Sequence, residues 1–200
     1  SDIEYLRDEY GYEEDFLAYL KGLTFTGKIR SMREGELVFG NETILQVDST
    51  LAEAQLVETA LLHIVNYQTL VATKASRIKQ IIGNEQAMEF GTRRAQEMDA
   101  PIWGTRAAFI AGFSSTSNMT AGKLFGIPAS GAHAHSMIQA YMDDYTAMKK
   151  YAESCVRRKN KVFIPLVDTY DTLRSGVPSA IKVAKEFEGR VKFDGIRLDS

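Results

Sequence analysis

Hydrophobic and polar positions divide residues 1–83 into three stretches with different spacing. Apolar residues at near-helical spacing in residues 2–22 predict helix. Short alternating stretches in residues 24–50, with a Gly40-Asn41 turn between two of them, predict the strands of a small antiparallel unit. In residues 51–83 apolar side chains recur every three or four positions, which predicts one long helix or two abutting helices.

After residue 84 the pattern changes to strand, loop and helix. Apolar stretches that indicate strands, each with polar or small residues at its end, lie at 87–95, 107–113, 161–168 and 193–200. Their alternation with helical stretches predicts an α/β protein with parallel strands, in an open doubly wound sheet or a barrel. We favour a β/α barrel, because polar residues cluster at the carboxyl ends of the strands, where barrel enzymes keep their chemistry.

Composition and charge narrow the class of protein. With 44% hydrophobic residues the chain can bury a core, and its formal net charge of −2 gives no general attraction to nucleic acid or to an anionic membrane. Without a secretory signal or an apolar run that could span a bilayer, the expected location is cytoplasmic. Cys155 is the single cysteine, which excludes an intrachain disulfide, and we interpret it as a half-buried helical residue.

Two further observations concern what the chain lacks. No strand is followed by GxGxxG or GxxxxGK[ST], so the dinucleotide-binding and P-loop fingerprints are absent. The chain begins without Met and stops on a strand that ends in Asp199 and Ser200. Because such a strand normally leads into a functional loop, we expect a segment of a longer protein.

Two polar clusters follow the strands between residues 84 and 129. EFGTRRA places Arg93 and Arg94 beside Phe90, and a guanidinium can bind a carboxylate or phosphate while Phe90 offers a flat face to an aromatic ligand. A pair of surface arginines is the alternative. SSTSN offers hydroxyls and backbone N–H groups to an anion, and plain helix capping is its alternative.

The stretch SGAHAHS contains two of the three histidines. His133 and His135 would point the same way in an extended segment, a spacing that could bind a metal, and would diverge if a helix begins near Ala134. Further imidazole ligands are scarce, because only His63 remains and we interpret it as a core or interface residue of the long helix. An imidazole beside Ser136 at a helix start suits a phosphoryl acceptor or a general acid or base.

The last strand, in GIRLDS, places Arg197 and Asp199 on one side at a spacing of two residues. A carboxylate beside a guanidinium can bind a sugar diol together with its phosphate. An ordinary ion pair is the alternative.

Four stretches along the chain form a set with a recognisable order and spacing. They are LAEAQLVETALLHIVNYQTLVATKASRI, MEFGTRRAQ, AAFIAGFSSTSNMTAGKLFGIPASGAHAHS and FDGIRLDS. Together, from about Thr24 to Ser200, they closely resemble the nicotinate phosphoribosyltransferase family in its bacterial form. The resemblance implies part of an irregular β/α barrel of the type II phosphoribosyltransferases, with a small mixed α+β domain at its N-terminal side. Residues 1–50 would belong to the mixed domain, 51–83 would connect, and 84–200 would form a partial barrel.

The resemblance also implies a reaction. Nicotinate and phosphoribosyl pyrophosphate would give nicotinate mononucleotide and pyrophosphate in NAD salvage, with ATP hydrolysis coupled through a phosphohistidine. Mg²⁺ would accompany ATP and phosphoribosyl pyrophosphate, with no tightly bound organic cofactor and no metal held by the protein alone. Such enzymes are now grouped with ligases and were formerly grouped with glycosyltransferases.

Assembly is implied in the same way. The family suggests a homodimer with shared active sites, and nucleic acid and membranes are not expected partners. The family's N-terminal tyrosine stretch and its later phosphate-binding loops are missing from residues 1–200, so this segment alone is expected to be inactive.

Individual roles follow from the matched motifs. His135 matches the phosphorylated, catalytic histidine of the family pattern GTxAHS, in which Ala132 replaces the threonine and removes a hydroxyl expected near nicotinate. Arg197 and Asp199 match a pair implicated in binding substrate and ribose.

The base would be bound by the earlier motifs. Phe90 would stack on the pyridine ring, and Arg93, supported by Arg94, would lie near the base and the phosphate. Ser117 stands where nicotinamide-using relatives carry an aspartate, and a neutral hydroxyl there suits a carboxylate substrate, which a like charge would repel.

Other functions stay open beside this one. The same chemistry on nicotinamide or quinolinate is disfavoured by Ser117 and by the HAHS pattern. A metal-dependent barrel hydrolase would use His133 and His135, and a non-catalytic homologue would act as a binding or assembly module.

Overall fold

The structure, a computed structural model, describes residues 1–131, 133–158 and 161–199. It contains two compact units, Ser1–Ala129 and Ser130–Ser200. Each unit mixes helices with short two-stranded sheets, so the predicted mixed α/β class is confirmed. None of the helices in the described ranges combines the length and apolarity that a membrane span requires.

The first unit begins with two short helices and an antiparallel pair of strands. Helix α1 (Asp2–Tyr10) starts in a capping box formed by Ser1 and Glu4, and α2 (Glu14–Gly22) buries Leu17. Strands β1 (Lys28–Ser31) and β2 (Leu45–Asp48) pair with Lys28 opposite Asp48. The predicted helix and antiparallel unit are therefore both present.

The strand predicted for GELVFG, residues 35–40, is wrong. Leu37 and Phe39 are 79% and 72% exposed in this unit, so the alternating side chains have no apolar face to cover. The Gly40-Asn41 turn does form, with Asn41 at a φ of 69° and the Glu42 N–H donating to the Phe39 carbonyl. The residues on either side of this turn form irregular loop, and strand pairing begins only at β2.

A single helix, α3 (Leu51–Ile82), fills the long periodic stretch, which confirms the helix prediction. Thr50 caps its start by accepting the Glu53 N–H, and Gly83, at a φ of 58°, ends it. The Tyr67 hydroxyl on α3 donates to the Ala100 carbonyl at 3.0 Å, which joins α3 to the next helix.

The rest of the first unit alternates strands and helices. Its elements are β3 (Met88–Glu89), a 3₁₀ turn (Thr92–Arg94), α4 (Ala100–Ile110), β4 (Ser115–Thr116) and α5 (Met119–Phe125). Strands β3 and β4 are parallel, with Met88 opposite Ser115. The strand predicted at 107–113 is wrong, because Pro101 fits the first turn of a helix and that helix buries Ala107 and Ala108 before the chain turns into β4.

The second unit packs three α-helices around one core with a parallel pair of strands. Its elements are α6 (His135–Ala140), α7 (Asp144–Val156), β5 (Val162–Phe163), a π-helical turn (Thr172–Gly176), α8 (Val177–Glu186) and β6 (Lys192–Phe193). Ile138, Met148, Phe163, Val167 and Val183 are fully buried in its core. The strands predicted near 161–168 and 193–200 are confirmed as a parallel pair with shorter bounds.

Candidate active site

Polar residues of the second unit converge on His135, the first residue of α6. The His135 Nδ1 atom lies 3.1 Å from the Thr169 hydroxyl. On the other edge of the ring, Nε2 lies 3.7 Å from an Asp199 carboxylate oxygen and 4.0 Å from one of Asp168. The imidazole therefore has a hydroxyl at one nitrogen and two carboxylates facing the other.

The parallel strand ends explain how these residues meet. After β5 and β6 the chain continues side by side, with the Arg197 N–H donating to Pro165 and the Val167 N–H donating to Arg197. The residues that follow, Asp168 and Asp199, leave the pair at the same edge, as carboxyl ends of parallel strands do. There the Asp199 N–H donates to the Asp168 carboxylate, and Arg197 Nη2 lies 3.1 Å from Asp199 Oδ2.

Charge and tautomer follow from this arrangement. The two carboxylates favour a proton on His135 Nε2, which faces them, so that Nδ1 can accept the Thr169 hydroxyl proton with its lone pair. The His135 side chain is 40% exposed. An imidazole with one edge facing carboxylates is an arrangement that suits covalent catalysis by histidine.

His133 has a different environment from His135. It is buried, its ring lies 4.6 Å from the ring of Tyr151, and its Nε2 accepts the Leu166 N–H at 3.0 Å. Burial lowers its pKa, so the ring is neutral with its proton on Nδ1. The pair is therefore divided between one packed histidine and one accessible histidine.

The question of a metal site can be tested on the donor set. In the three described ranges, no group of three or more His, Cys, Asp or Glu is arranged to hold a metal ion. His133 accepts a backbone N–H with its Nε2 atom, which is therefore not available to a metal ion. Ala132, the position where the family carries threonine, lies outside the described residues.

The predicted base-binding residues lie together in the first unit. Phe90 leaves β3, Arg93 and Arg94 occupy the 3₁₀ turn, and the Ser117 N–H donates to the Glu89 carbonyl at 3.0 Å. Phe90 is 38% exposed, and Arg93, Arg94 and Ser117 are exposed. An aromatic face, two guanidinium groups and a hydroxyl thus share one strand edge.

The alternative for SSTSN, helix capping, is also realised. The Asn118 side chain accepts the Ala121 N–H at 3.0 Å and begins α5, while Ser115 and Thr116 form β4. Of this run, Ser117 is the residue whose side chain is exposed. Its backbone N–H reaches the residue before the Phe90 turn (residues 90–94).

Three residues of these sites were missed by sequence reasoning. Asp168 and Thr169 follow the apolar run KVFIPLV, and their position at a strand end was the available signal. Glu89 lies under the Phe90 turn, where its side chain accepts hydrogen bonds from Gly91, Thr105 and Thr116. Two of its partners, Thr105 and Thr116, lie on elements that follow later in the chain, and no local pattern identifies it.

Two other sequence candidates lie away from these sites. His63 is exposed on α3, so the core interpretation is wrong for this unit and the interface interpretation stays a prediction. Cys155 is fully buried in α7, deeper than the half-buried position predicted.

Comparisons with known proteins agree over the whole chain. The family model for the N-terminal domain of nicotinate phosphoribosyltransferase matches residues 1–66. The chain is 67% identical over 200 residues to the nicotinate phosphoribosyltransferase of Bacillus subtilis (strain 168), covering 100% of this chain and 40% of that protein. The Dictyostelium discoideum nicotinate phosphoribosyltransferase is 36% identical over 245 residues, with 100% of this chain and 42% of that protein covered.

Solved structures match the fold as well. The crystal structure of human nicotinic acid phosphoribosyltransferase superimposes with a TM-score of 0.84 at 29% identity, over 100% of this chain and 49% of that one. That of nicotinate-nucleotide pyrophosphorylase from Pyrococcus furiosus gives a TM-score of 0.72 at 27% identity, over 86% of this chain and 42% of that one.

The fold matches that of a solved phosphoribosyltransferase. Within that class, the chain belongs to the nicotinate phosphoribosyltransferase family. It spans about two fifths of the length of the relatives that it matches.

Proposed function

We propose that the protein containing this chain is a nicotinate phosphoribosyltransferase of NAD salvage. The observation that carries the proposal is the 67% identity over all 200 residues to the Bacillus subtilis enzyme of that name. The pyridine nitrogen of nicotinate attacks the anomeric carbon of phosphoribosyl pyrophosphate as the bond to pyrophosphate breaks, which gives nicotinate mononucleotide. Positive charge that develops at the anomeric carbon is stabilised by carboxylates, for which Asp199, paired with Arg197, is the candidate.

The Phe90 turn supplies the groups that a pyridine carboxylate needs. Phe90 stacks on the ring, and Arg93, with Arg94 beside it, binds the carboxylate or a phosphate through its guanidinium. Ser117 presents a neutral hydroxyl at the same strand edge, which spares an anionic substrate the repulsion that an aspartate would impose.

His135 is proposed to carry the phosphoryl group that couples ATP hydrolysis. The Thr169 hydroxyl first gives up its hydrogen bond to Nδ1. The freed Nδ1 lone pair then forms a bond to the γ-phosphorus of ATP as the bond from that phosphorus to the bridging oxygen breaks, and ADP leaves. The ring becomes positively charged, and Asp168 and Asp199, which face Nε2, stabilise that charge. Water later cleaves the N–P bond and releases phosphate. The added negative charge is the means by which phosphorylation changes affinity for the sugar diphosphate.

Assembly, metal use and location follow as further parts of the proposal. Mg²⁺ arrives bound to the phosphates of ATP and phosphoribosyl pyrophosphate, as part of the substrates. The intact enzyme contains an irregular β/α barrel and acts as a cytoplasmic homodimer with shared active sites.

A substrate competition tests the reaction. The intact enzyme is incubated with phosphoribosyl pyrophosphate and with nicotinate, nicotinamide or quinolinate, with and without ATP, and the mononucleotide is measured. We expect kcat/KM for nicotinate to exceed the others by about a hundredfold or more, with ATP consumed. Preference for nicotinamide or quinolinate would assign the same chemistry to another base, and no mononucleotide from any of the three would overturn the proposal.

Labelled ATP tests the phosphate carrier. An acid-labile phosphate is expected on the intact enzyme, lost in His135→Ala and kept in His133→Gln, whose amide oxygen can still accept the Leu166 N–H. The ³¹P NMR signal should be that of the Nδ1 isomer. Label on another residue would overturn the assignment of His135.

A further inference from the structure

We propose that Glu89 is a positioning residue for the Phe90 turn, residues 90–94. The inference rests on the proposed function and adds to it a residue that does not touch substrate. Glu89 ends β3, directly before Phe90, and its side chain is half-buried beneath the turn.

The Glu89 carboxylate binds three donors from three separate segments. Its Oε1 accepts the N–H of Gly91, inside the turn. Its Oε2 accepts the hydroxyl of Thr105 on α4 at 2.8 Å and that of Thr116 on β4 at 3.0 Å. One carboxylate therefore joins the turn to a neighbouring helix and to the paired strand. Hydrogen bonds to a charged acceptor are stronger than neutral ones, which suits this role.

Gly91 lacks a side chain at the point where the Glu89 carboxylate approaches the turn. A Cβ atom at residue 91 would lie 2.8 Å from Glu89 Oε1. Glycine therefore leaves space for the carboxylate to approach the backbone of the turn closely.

A second group of contacts holds the other side of the same edge. The Thr116 hydroxyl accepts the Asn118 N–H at 2.9 Å while it donates to Glu89. The Asn118 side-chain amide donates to the Thr92 hydroxyl at 3.2 Å. Between them, the Ser117 N–H donates to the Glu89 carbonyl. Glu89 thus fixes the backbone on which Phe90, Arg93 and Ser117 are carried.

The kinetic consequence is specific to one substrate. Stacking on Phe90 and a guanidinium contact from Arg93 both depend on the geometry of the turn, and small misplacements of binding groups are costly. Loss of the Glu89 carboxylate should weaken nicotinate binding and leave the phosphorylation of His135 unchanged. A general loss of stability would instead weaken both nicotinate binding and the phosphorylation of His135.

The test compares Glu89→Ala, Glu89→Gln and the control Glu53→Gln in the intact enzyme. Glu53 is a buried carboxylate of the same unit that accepts the N–H and hydroxyl of Thr26, away from the turn. We expect Glu89→Ala to raise the nicotinate KM about tenfold or more, with the KM for phosphoribosyl pyrophosphate and the His135 labelling rate within about twofold. Glu89→Gln should raise the nicotinate KM less than Glu89→Ala does, because its amide oxygen can still accept the Gly91 N–H. Glu53→Gln should leave the nicotinate KM unchanged.

Two further readouts keep the inference apart from the proposed function. Hydrogen exchange of residues 90–94 should accelerate about tenfold or more in Glu89→Ala and stay unchanged in Glu53→Gln. Combined with Phe90→Ala, Glu89→Ala should add less to the nicotinate KM than it does alone. Unchanged exchange in the turn, or full additivity, would overturn the role of Glu89. A wild-type enzyme without nicotinate turnover would instead overturn the proposed function, and the exchange result would still decide whether Glu89 positions the turn.

Discussion

The Nε2 atom of His133 accepts the backbone N–H of Leu166 at 3.0 Å, while His135, two residues later, keeps its Nδ1 beside a side-chain hydroxyl. Leu166 is fully buried next to the strand pair, so the hydrogen bond connects the segment before α6 to the core of the unit. His133 thereby fixes the backbone from which His135 projects. One histidine of the motif supports the other.

This environment predicts a pH dependence of stability. Burial lowers the pKa of His133 from its ordinary value of 6.5; a hydrogen bond to the Ala134 backbone opposes this, and the charge of Arg197 adds to it. In the unfolded chain the ring takes up a proton as the pH falls below about 6.5, whereas in the folded protein it resists. The contribution of His133 to the free energy of unfolding is therefore complete above pH 6.5 and lost as the pH falls from there to the folded pKa, with a slope of at most about 1.4 kcal/mol per pH unit.

Urea unfolding of the intact protein at pH 7.5 and pH 5.5 measures this effect. His133→Gln should be less stable than wild type at pH 7.5, by about 1–2 kcal/mol, yet show a smaller loss on acidification. His63→Gln, which removes an exposed imidazole of α3, is the matched control and should keep the wild-type pH difference. An undiminished acid loss in His133→Gln would contradict a buried neutral ring.

The packing around Gly176 predicts that any side chain at this position destabilises the protein. A Cβ atom at this position would lie 1.9 Å from the backbone carbonyl oxygen of Val167, a fully buried core residue. Gly176→Ala should therefore destabilise the protein by about 3 kcal/mol and displace the adjacent Asp168. Thermal unfolding and His135 labelling should both report the loss. Gly22→Ala, where a Cβ would meet nothing within 4 Å, is the control expected to retain both.

The burial of Cys155 predicts that its thiol reacts slowly with alkylating reagents. The thiol is fully buried in α7, and burial raises its pKa, so little thiolate forms at neutral pH. Iodoacetamide at pH 8 should modify the native protein at least about a hundredfold more slowly than the urea-unfolded protein, as measured by mass spectrometry. Cys155→Ala, which has no thiol, gives the background. Rapid modification of the native state would show that α7 opens locally.

The elements that could be predicted are those whose pattern is local. The periodicity of α3 extends over many turns, and its bounds follow from a threonine cap and a terminal glycine. The apolar stretch at 107–113 predicts a strand, but it is short, and short apolar runs fit a buried helix end equally well. GELVFG has the alternation of a strand, but pairing depends on a partner that no local pattern specifies.

The candidate site divides in the same way. His135 is predicted from a contiguous motif, whereas Asp168 faces it only through the register of two parallel strands whose sequences are far apart. Such register is set by tertiary packing. Glu89 was missed for a related reason, since Thr105 lies on a helix whose end was assigned as a strand.

Asp168 is expected to act on the rate of His135 phosphorylation. Its Oδ1 lies 4.0 Å from His135 Nε2, and its other oxygen accepts the Asp199 N–H. Asp168→Asn keeps the shape and an acceptor oxygen but removes a negative charge beside a ring that becomes positive as Nδ1 attacks. We expect the initial rate of labelling from ATP to fall about tenfold, which corresponds to about 1.4 kcal/mol of barrier. Asp194→Asn, which removes an exposed carboxylate paired with Lys192 in the same unit, should label at the wild-type rate. Wild-type labelling by a stably folded Asp168→Asn would show that the charge of Asp168 contributes nothing to the transfer, and would leave Asp199 as the carboxylate to test.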